Sequence, residues 1–268
     1  MTISPPRRNP TDDAAIEELA ARAWCREQVR SGNWVLRAAD GFTAMANSVA
    51  VLGDGSSDGA DAPPVGERIA EAEGFYRRRG LPARFQLAEG DRHASLADQL
   101  QRRGYAHEDG EDGTWFRCPL RNLRSVAPAE RDGRVVVSEA PSEDWCELWY
   151  GAQGLPAEGR DAAFELAWEL EGRWVFAGHV SNGELVGVGL ARLDGPWLGI
   201  YGLGVRADRL RRGSGRRIVG ALATWGIALA AQTAYAPVPD AATGAVGLFE
   251  ALPFTAGGRY RFMVRPLG

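Results

Sequence analysis

Lysine is absent from this 268-residue chain; all 31 of its basic residues are arginine. That removes Schiff-base lysine chemistry. Cysteine is scarce: three residues, at 25, 118 and 146, too few and too scattered for a disulfide framework or a zinc spacing. No cluster here predicts a metal site. No apolar run approaches the roughly 20 residues a membrane-spanning helix needs, and the residues after Met1 lack the pattern of a secretory signal. The cytoplasm is therefore the expected compartment, with no membrane partner. Positive charge is not in excess either: the net charge is −4, which argues against wholesale nucleic-acid binding. What is present is ordinary for a globular protein, with 45% hydrophobic and 25% charged residues. The length allows one large domain or two of common size.

Against that acidic background one stretch stands out. Residues 197–231, WLGIYGLGVRADRLRRGSGRRIVGALATWGIALAA, read as strand, basic loop and helix. Residues 197–205 are an apolar, aromatic-rich run of strand length. Arginines at 206, 209, 211, 212, 216 and 217 fall within twelve residues. Gly213-Ser214-Gly215 stands where the helical spacing of Ile218, Val219, Leu222, Trp225 and Leu229 begins. A helix N-terminus has free N–H groups and the positive end of a dipole, and glycines let a polyanion approach the backbone. The stretch reads as a diphosphate cradle opening a helix.

On either side the chain alternates helices and strands. The N-terminal half predicts a helix over 11–29, with Ile16, Leu19, Ala20, Ala23 and Trp24 on one face. A hairpin of 34–39 and 42–52 follows, turning at Asp40-Gly41, and then an acidic loop at 53–64. A helix over 65–79, a strand over 84–88, a helix over 95–103 and a strand over 114–119 complete this half. Residues 121–134, charged and containing a proline, predict a linker. Beyond it come a buried strand at 135–139, a helix capped by Ser142, and a helix over 160–170. A hairpin of 174–179 and 185–193 turns at Asn182-Gly183. After the basic loop and its helix come a strand over 233–238, a helix over 241–251 and a last strand over 259–264.

The tails of the two halves share one plan. Gly66 to the Gly104-Tyr105 terminator spans 38 residues, and Ser214 to the Pro253-Phe254 terminator spans 39. LADQLQRRGY and AVGLFEALPF end alike. Two copies of one α+β unit are expected, as domains over 1–120 and 135–268 joined by the linker. The expected fold class is α+β with mixed α/β character, each domain a mixed central sheet flanked by helices.

The C-terminal half resembles the GNAT superfamily of acetyl-CoA-dependent N-acetyltransferases. The element order from residue 135 onward follows that fold. LRRGSG (210–215) sets Gly213 and Gly215 where the superfamily loop has them, at the usual distance after Val205. The N-terminal half, with WVLRAADGFTAMANSV (34–49), resembles the first half of a group of actinobacterial tandem GNAT-like proteins. It is degenerate: the acidic loop at 53–64 repels a diphosphate, so this half is not expected to bind CoA. The resemblance implies that backbone groups of Arg211, Arg212, Gly213, Ser214, Gly215 and Arg216 hold the CoA diphosphate. It implies that Leu203, Gly204 and Val205 pair with the pantetheine arm as an added strand, and that an N–H there faces the developing oxyanion. Acetyl-CoA is the implied co-substrate and a small-molecule amine the implied acceptor, attacking the thioester directly.

The chain departs from that pattern in places. Leu210 replaces the leading Arg or Gln of the loop, Ala207 a common Pro, Ala242 an Asn that supports CoA, and Pro253 a Gly. Phe249 stands where a Tyr commonly protonates the departing thiolate. Loss of a general acid costs roughly 10²–10⁴-fold, and a thiol pKa of about 8.5 makes thiolate a tolerable leaving group. Two alternatives follow: an enzyme with another acid, or a catalytically impaired acyl-CoA-binding or regulatory protein. Tyr201 and Tyr260 are candidate acids, and Glu139, Glu184 and Asp240 candidate bases. Trp34, Arg37, Asn47 and Ser48 are candidates to line an acceptor pocket, and His179 is expected to be structural.

Overall fold

The computed structural model describes residues 10–55, 63–126, 133–154 and 159–267. In chain order the elements are α1 (Pro10–Ala21), β1 (Glu27–Ser31), β2 (Trp34–Ala38), β3 (Val49–Val51), α2 (Val65–Arg77), β4 (Ala83–Ala88), α3 (Ala94–Arg102), β5 (Ala106–His107) and β6 (Gly113–Pro119). They continue with β7 (Arg134–Ser138), α4 (Glu143–Gln153), α5 (Arg160–Glu169), β8 (Arg173–Ser181), β9 (Glu184–Asp194), β10 (Trp197–Val205), α6 (Ser214–Ala228), β11 (Thr233–Pro239), α7 (Thr243–Ala251) and β12 (Thr255–Arg265). Contacts divide the chain into two compact units. The first holds Met1–Trp115, Pro239–Ala241 and Gly257–Gly268; the second holds Phe116–Val238 and Ala242–Ala256. This division differs from the expected one. Nearly all of β12 falls in the first unit, where it pairs with β4 from Tyr260↔Ala88 to Arg265↔Ala83, and the second half of β6 falls in the second.

The sheet of the first unit runs β1-β2-β3-β4-β12, with β5 on β12. Its core gathers Trp34, Ile69, Phe75, Tyr76, Phe85 and Leu100. Trp34 meets Phe85 edge to face with ring centroids 5.4 Å apart, and the Arg68 guanidinium lies 4.0 Å over its indole. The predicted helix over 11–29 stops at Ala21, because residues 27–31 pair along their whole length with β2. Propensity yields there to strand pairing. The hairpin consequently joins β1 to β2, and the returning strand shrinks to β3 because Met45–Asn47 take a 3-10 turn.

In the second unit the sheet runs β6-β11-β10-β9-β8-β7. Side chains alternate along β8. Val175 and Ala177 join Leu198, Ile200, Ile218, Val219 and Leu222 in the core under α6. Phe176 instead meets Trp145 of α4, whose Nε1–H donates to the Ala177 carbonyl at 2.9 Å. Ser142 caps α4 as predicted, its Oγ accepting from Trp145 N–H at 3.2 Å. Two expectations change here. The predicted linker is in part core: a 3-10 turn, Leu120–Val126, runs into it, and its Leu123 and Val126 are buried with Leu120 in the α6 cluster. Residues 127–132 of that linker, like 56–62 of the acidic loop, lie outside the described residues. The predicted buried strand β7 is the end strand of its sheet, leaving Val136 at 45% and Val137 at 37% exposure.

Candidate functional site

In the second unit the parallel strands β10 and β11 begin together and then part. β10 pairs with β11 only over Trp197↔Thr233, Leu198↔Ala234 and Gly199↔Tyr235. Beyond Gly199 its register against β9 shifts between Tyr201 and Gly204, where Gly202 takes φ +56°. An irregularity of this kind bends the strand that carries it. Residues 200–205 thus run on without pairing to β11, and the gap between the two strands is a cleft edged by β10 backbone, where the Leu203 carbonyl accepts from Gln153 Nε2 at 3.3 Å. Gly204 lets α4 close on the strand: a Cβ there would lie 2.7 Å from Cβ of Ala152.

The basic loop tops this cleft. Arg211 (φ +60°) and Gly213 (φ +83°) are both left-handed, and Gly213 stands at the N-cap of α6 with no side-chain capping bond. The first helical bond runs from Arg217 N–H to the Gly213 carbonyl at 3.1 Å. The N–H groups of Ser214, Gly215 and Arg216 belong to the turn that a helix leaves without internal partners. The six arginines sort into two kinds. Arg206 and Arg209 pair with Glu184 and Asp208, and Arg217 Nη1 donates to the Arg212 carbonyl at 2.9 Å. Arg211, Arg212 and Arg216 are exposed and have no ion-pair partner among the described residues. Space at the glycines is tight. A Cβ at Gly213 would come within 3.0 Å of Arg217 Nη1, and one at Gly215 within 2.9 Å of Leu248 Cδ2. Uncapped N–H groups, the positive dipole end and three free guanidiniums suit a diphosphate.

Most other candidates fall elsewhere. Tyr201 is buried with its hydroxyl 2.6 Å from that of Tyr235, and burial raises its pKa well above the ordinary value. Its ring and hydroxyl pack over Gly199, which gives it a structural place. Tyr260 lies in the first unit against Trp115 (4.9 Å), its buried hydroxyl without a partner among the described residues. Trp34 is core, as described above. Asn47 organises a turn, accepting from the N–H of Ala39 at 2.8 Å and of Gly41 at 3.0 Å. Arg37 is fully buried and donates to Ser48 Oγ at 2.8 Å and Gln86 Oε1 at 2.7 Å. None of Trp34, Arg37, Asn47 and Ser48 faces solvent, so they do not line an open acceptor pocket. Glu184 is engaged by Arg206, Asp240 by Arg259 at 2.6 Å, and Glu139 is exposed.

Phe249 is buried, stacked on Phe116 (centroids 5.6 Å) and edge-on to Phe254 (4.9 Å). It is a core residue without a proton to give. Ala242 precedes α7 at its N-cap. Sequence reasoning missed two groups. Tyr235 is the hydroxyl partner of Tyr201. His93 is fully buried: its Nδ1 accepts from Ala88 N–H at 2.9 Å and its Nε2 lies 3.0 Å from the Gly53 carbonyl. Among the described residues no group of His, Cys, Asp and Glu could hold a metal ion, and no helix is long and apolar enough to cross a membrane.

A mixed sheet whose parallel strands part beneath a glycine-opened helix, with helices on both faces, defines a GCN5-related N-acetyltransferase fold, and solved structures agree. The GCN5-related N-acetyltransferase from Kribbella flavida superposes with a TM-score of 0.67 over 95% of this chain and 96% of its own, at 16% identity. A tandem GNAT protein from the clavulanic acid biosynthesis pathway gives 0.56 over 74% and 69%, at 13% identity. Within that class, the chain belongs to the family described as "Probable histone acetyltransferase Rv0428c C-terminal", whose model matches residues 11–263. A curated relative, "Uncharacterized N-acetyltransferase YobR" of Bacillus subtilis (strain 168), is 23% identical over 255 residues, which cover 95% of this chain and 99% of the relative.

Proposed function

We propose that the protein transfers the acetyl group of acetyl-CoA to the amine of a small molecule, and that the second unit takes the acetyl-CoA. The observation that carries this is the parting of β10 from β11 beside the uncapped N-terminus of α6. Acetyl-CoA supplies an acyl group activated as a thioester. The N–H groups of residues 211–216, with the free guanidiniums of Arg211, Arg212 and Arg216, bind its diphosphate. Leu203, Gly204 and Val205 offer backbone groups along the cleft to the pantetheine amides. Held in this way, the acyl carbon meets an amine brought to the same cleft, so the chain contributes mainly by positioning. The first unit keeps a short parallel pair, β3 with β4 over Val49↔Phe85 and Ala50↔Gln86. Its loop at 53–64, however, has three aspartates and no arginine, and we assign it no CoA.

Phe249 favours a second reading, an acyl-CoA-binding or regulatory protein with impaired turnover, since no proton comes from that position. Calorimetric titration with CoA, followed by thiol-release assays with acetyl-CoA and a panel of polyamines, aminoglycosides, amino-acid amines and a histone-tail peptide, separates the two. Release with a small amine supports the first reading. Binding without release on any acceptor supports the second, release on the peptide alone moves the acceptor to protein amines, and absence of CoA binding overturns both.

A further inference from the structure

His179 sits on β8, and no part of the acetyl-transfer scheme above uses it. It is 2% exposed, yet its Nδ1 lies 3.0 Å from Oγ of Ser214, the first residue of α6, which is 3% exposed. The two come together across β9. His179 is in register with Gly187, and Gly187 is in register with Val205 at the end of β10. A Cβ at Gly187 would come within 3.3 Å of Ser214 Cβ and 3.2 Å of Ile218 Cδ1. The missing side chain on the middle strand therefore lets the helix settle on the sheet, and the imidazole reaches its first residue.

Ser214 has an unusual place for a serine at a helix start. Gly213 is the N-cap, so the Ser214 side chain is one residue too late to cap the helix. Its hydroxyl is instead tied to the sheet, 35 residues away in sequence. Its own N–H belongs to the turn that a helix leaves without internal partners.

We propose that His179 is a positioning residue for the acyl-CoA site: through Ser214 it fixes the direction of the N–H groups that open α6. This rests on the proposed assignment of the CoA diphosphate to that helix N-terminus. The bond holds the first turn of α6 against the Gly187–Val205 row, so the N–H groups stand in a fixed relation to the cleft beyond Gly199. Without it the first turn, which lacks a side-chain cap, frays more readily. Each binding event then bears the cost of ordering it.

The test is calorimetric titration of CoA into His179→Leu, His179→Asn, Ser214→Ala and the His179→Leu/Ser214→Ala double variant, with thermal melting of each. Loss of one buried hydrogen bond is worth about tenfold. His179→Leu is expected to raise the CoA Kd about tenfold, and in steady state to raise KM for acetyl-CoA more than it lowers kcat. Asn presents a polar atom at the position of Nδ1, so His179→Asn is expected to restore most of the affinity. In the Ser214→Ala background His179→Leu is expected to add little, since the bond is already gone. CoA binding to His179→Leu equal to wild type overturns the proposal, as do fully additive losses in the double variant. If His179→Leu does not fold, the pair His179→Asn and Ser214→Ala decides: Ser214→Ala binding as tightly as wild type overturns it. A wild-type protein that binds no CoA would instead overturn the functional assignment on which the proposal rests.

Discussion

The hydroxyls of Tyr201 and Tyr235 meet at 2.6 Å above Gly199, at the point where β10 and β11 cease to pair. A Cβ on Gly199 would lie 2.6 Å from the Tyr201 hydroxyl and 2.7 Å from that of Tyr235. The small residue makes room for the pair, and the pair ties two strands together just before they separate. Burial pushes both phenols well above their ordinary pKa, so both stay protonated. The hydroxyls thus fasten the closed end of the cleft.

Tyr201→Phe is accordingly expected to cost about 1 kcal/mol of stability through the lost hydrogen bond. Its rate of thiol release should stay within about threefold of wild type. Gly199→Ala overpacks the pair and is expected to cost about 1–3 kcal/mol. Urea unfolding measures both. A fall of about a hundredfold in the rate for Tyr201→Phe, at unchanged stability, would return Tyr201 to the role of general acid.

Charge at the cradle should divide along the ion pairs. Alanine at Arg211, Arg212 and Arg216 together is expected to weaken CoA binding by about tenfold or more and to flatten its dependence on salt. Arg206 and Arg209 already hold Glu184 and Asp208, so alanine at those two should change the affinity by less than about threefold. Titrations at two ionic strengths distinguish the sets.

Gly213→Val places a branched side chain at φ +83° and crowds Arg217. A left-handed non-glycine residue costs about 1–2 kcal/mol. A drop of several degrees in Tm is expected, together with a loss of CoA affinity that exceeds what the stability change accounts for. Retained affinity would remove the loop from the binding site.

His93 makes stability depend on pH. Burial pushes its pKa down to about 4, against the opposing hydrogen bond to Gly53. Nδ1 accepts from Ala88, so the neutral ring carries its proton on Nε2. Between pH 6.5 and 4 the unfolded chain binds a proton that the folded chain excludes, so stability falls as the pH falls through that window. The full effect is roughly 2–4 kcal/mol. Urea midpoints at pH 7 and pH 4.5 should differ accordingly, and His93→Gln should shrink the difference.

What was legible in the sequence was local. Turn dipeptides placed the Asn182-Gly183 hairpin, where both residues take positive φ (52° and 81°). Helical spacing and glycine placed the start of α6 at Ser214, and Ser142 announced its own helix. These signals lie within one or two turns of chain, and so does the loop that identifies the candidate site.

Pairing across the sheet was not legible. Residues 27–31 carry no strand signal stronger than the helical one before them, and only β2 makes them a strand. Leu123 and Val126 sit in a charged stretch that reads as a linker until α6 covers them. The sequence by itself therefore determined the order of elements in the second unit, the glycine-opened, arginine-flanked helix and the absence of a tyrosine at 249, because those follow from local spacing and residue identity. The tertiary structure alone decided that β12 joins the first unit, which arginines remained free, and that Tyr201 meets Tyr235 and His179 meets Ser214. Those contacts join residues 34 and 35 positions apart, and they form only after the strands between them have found their register.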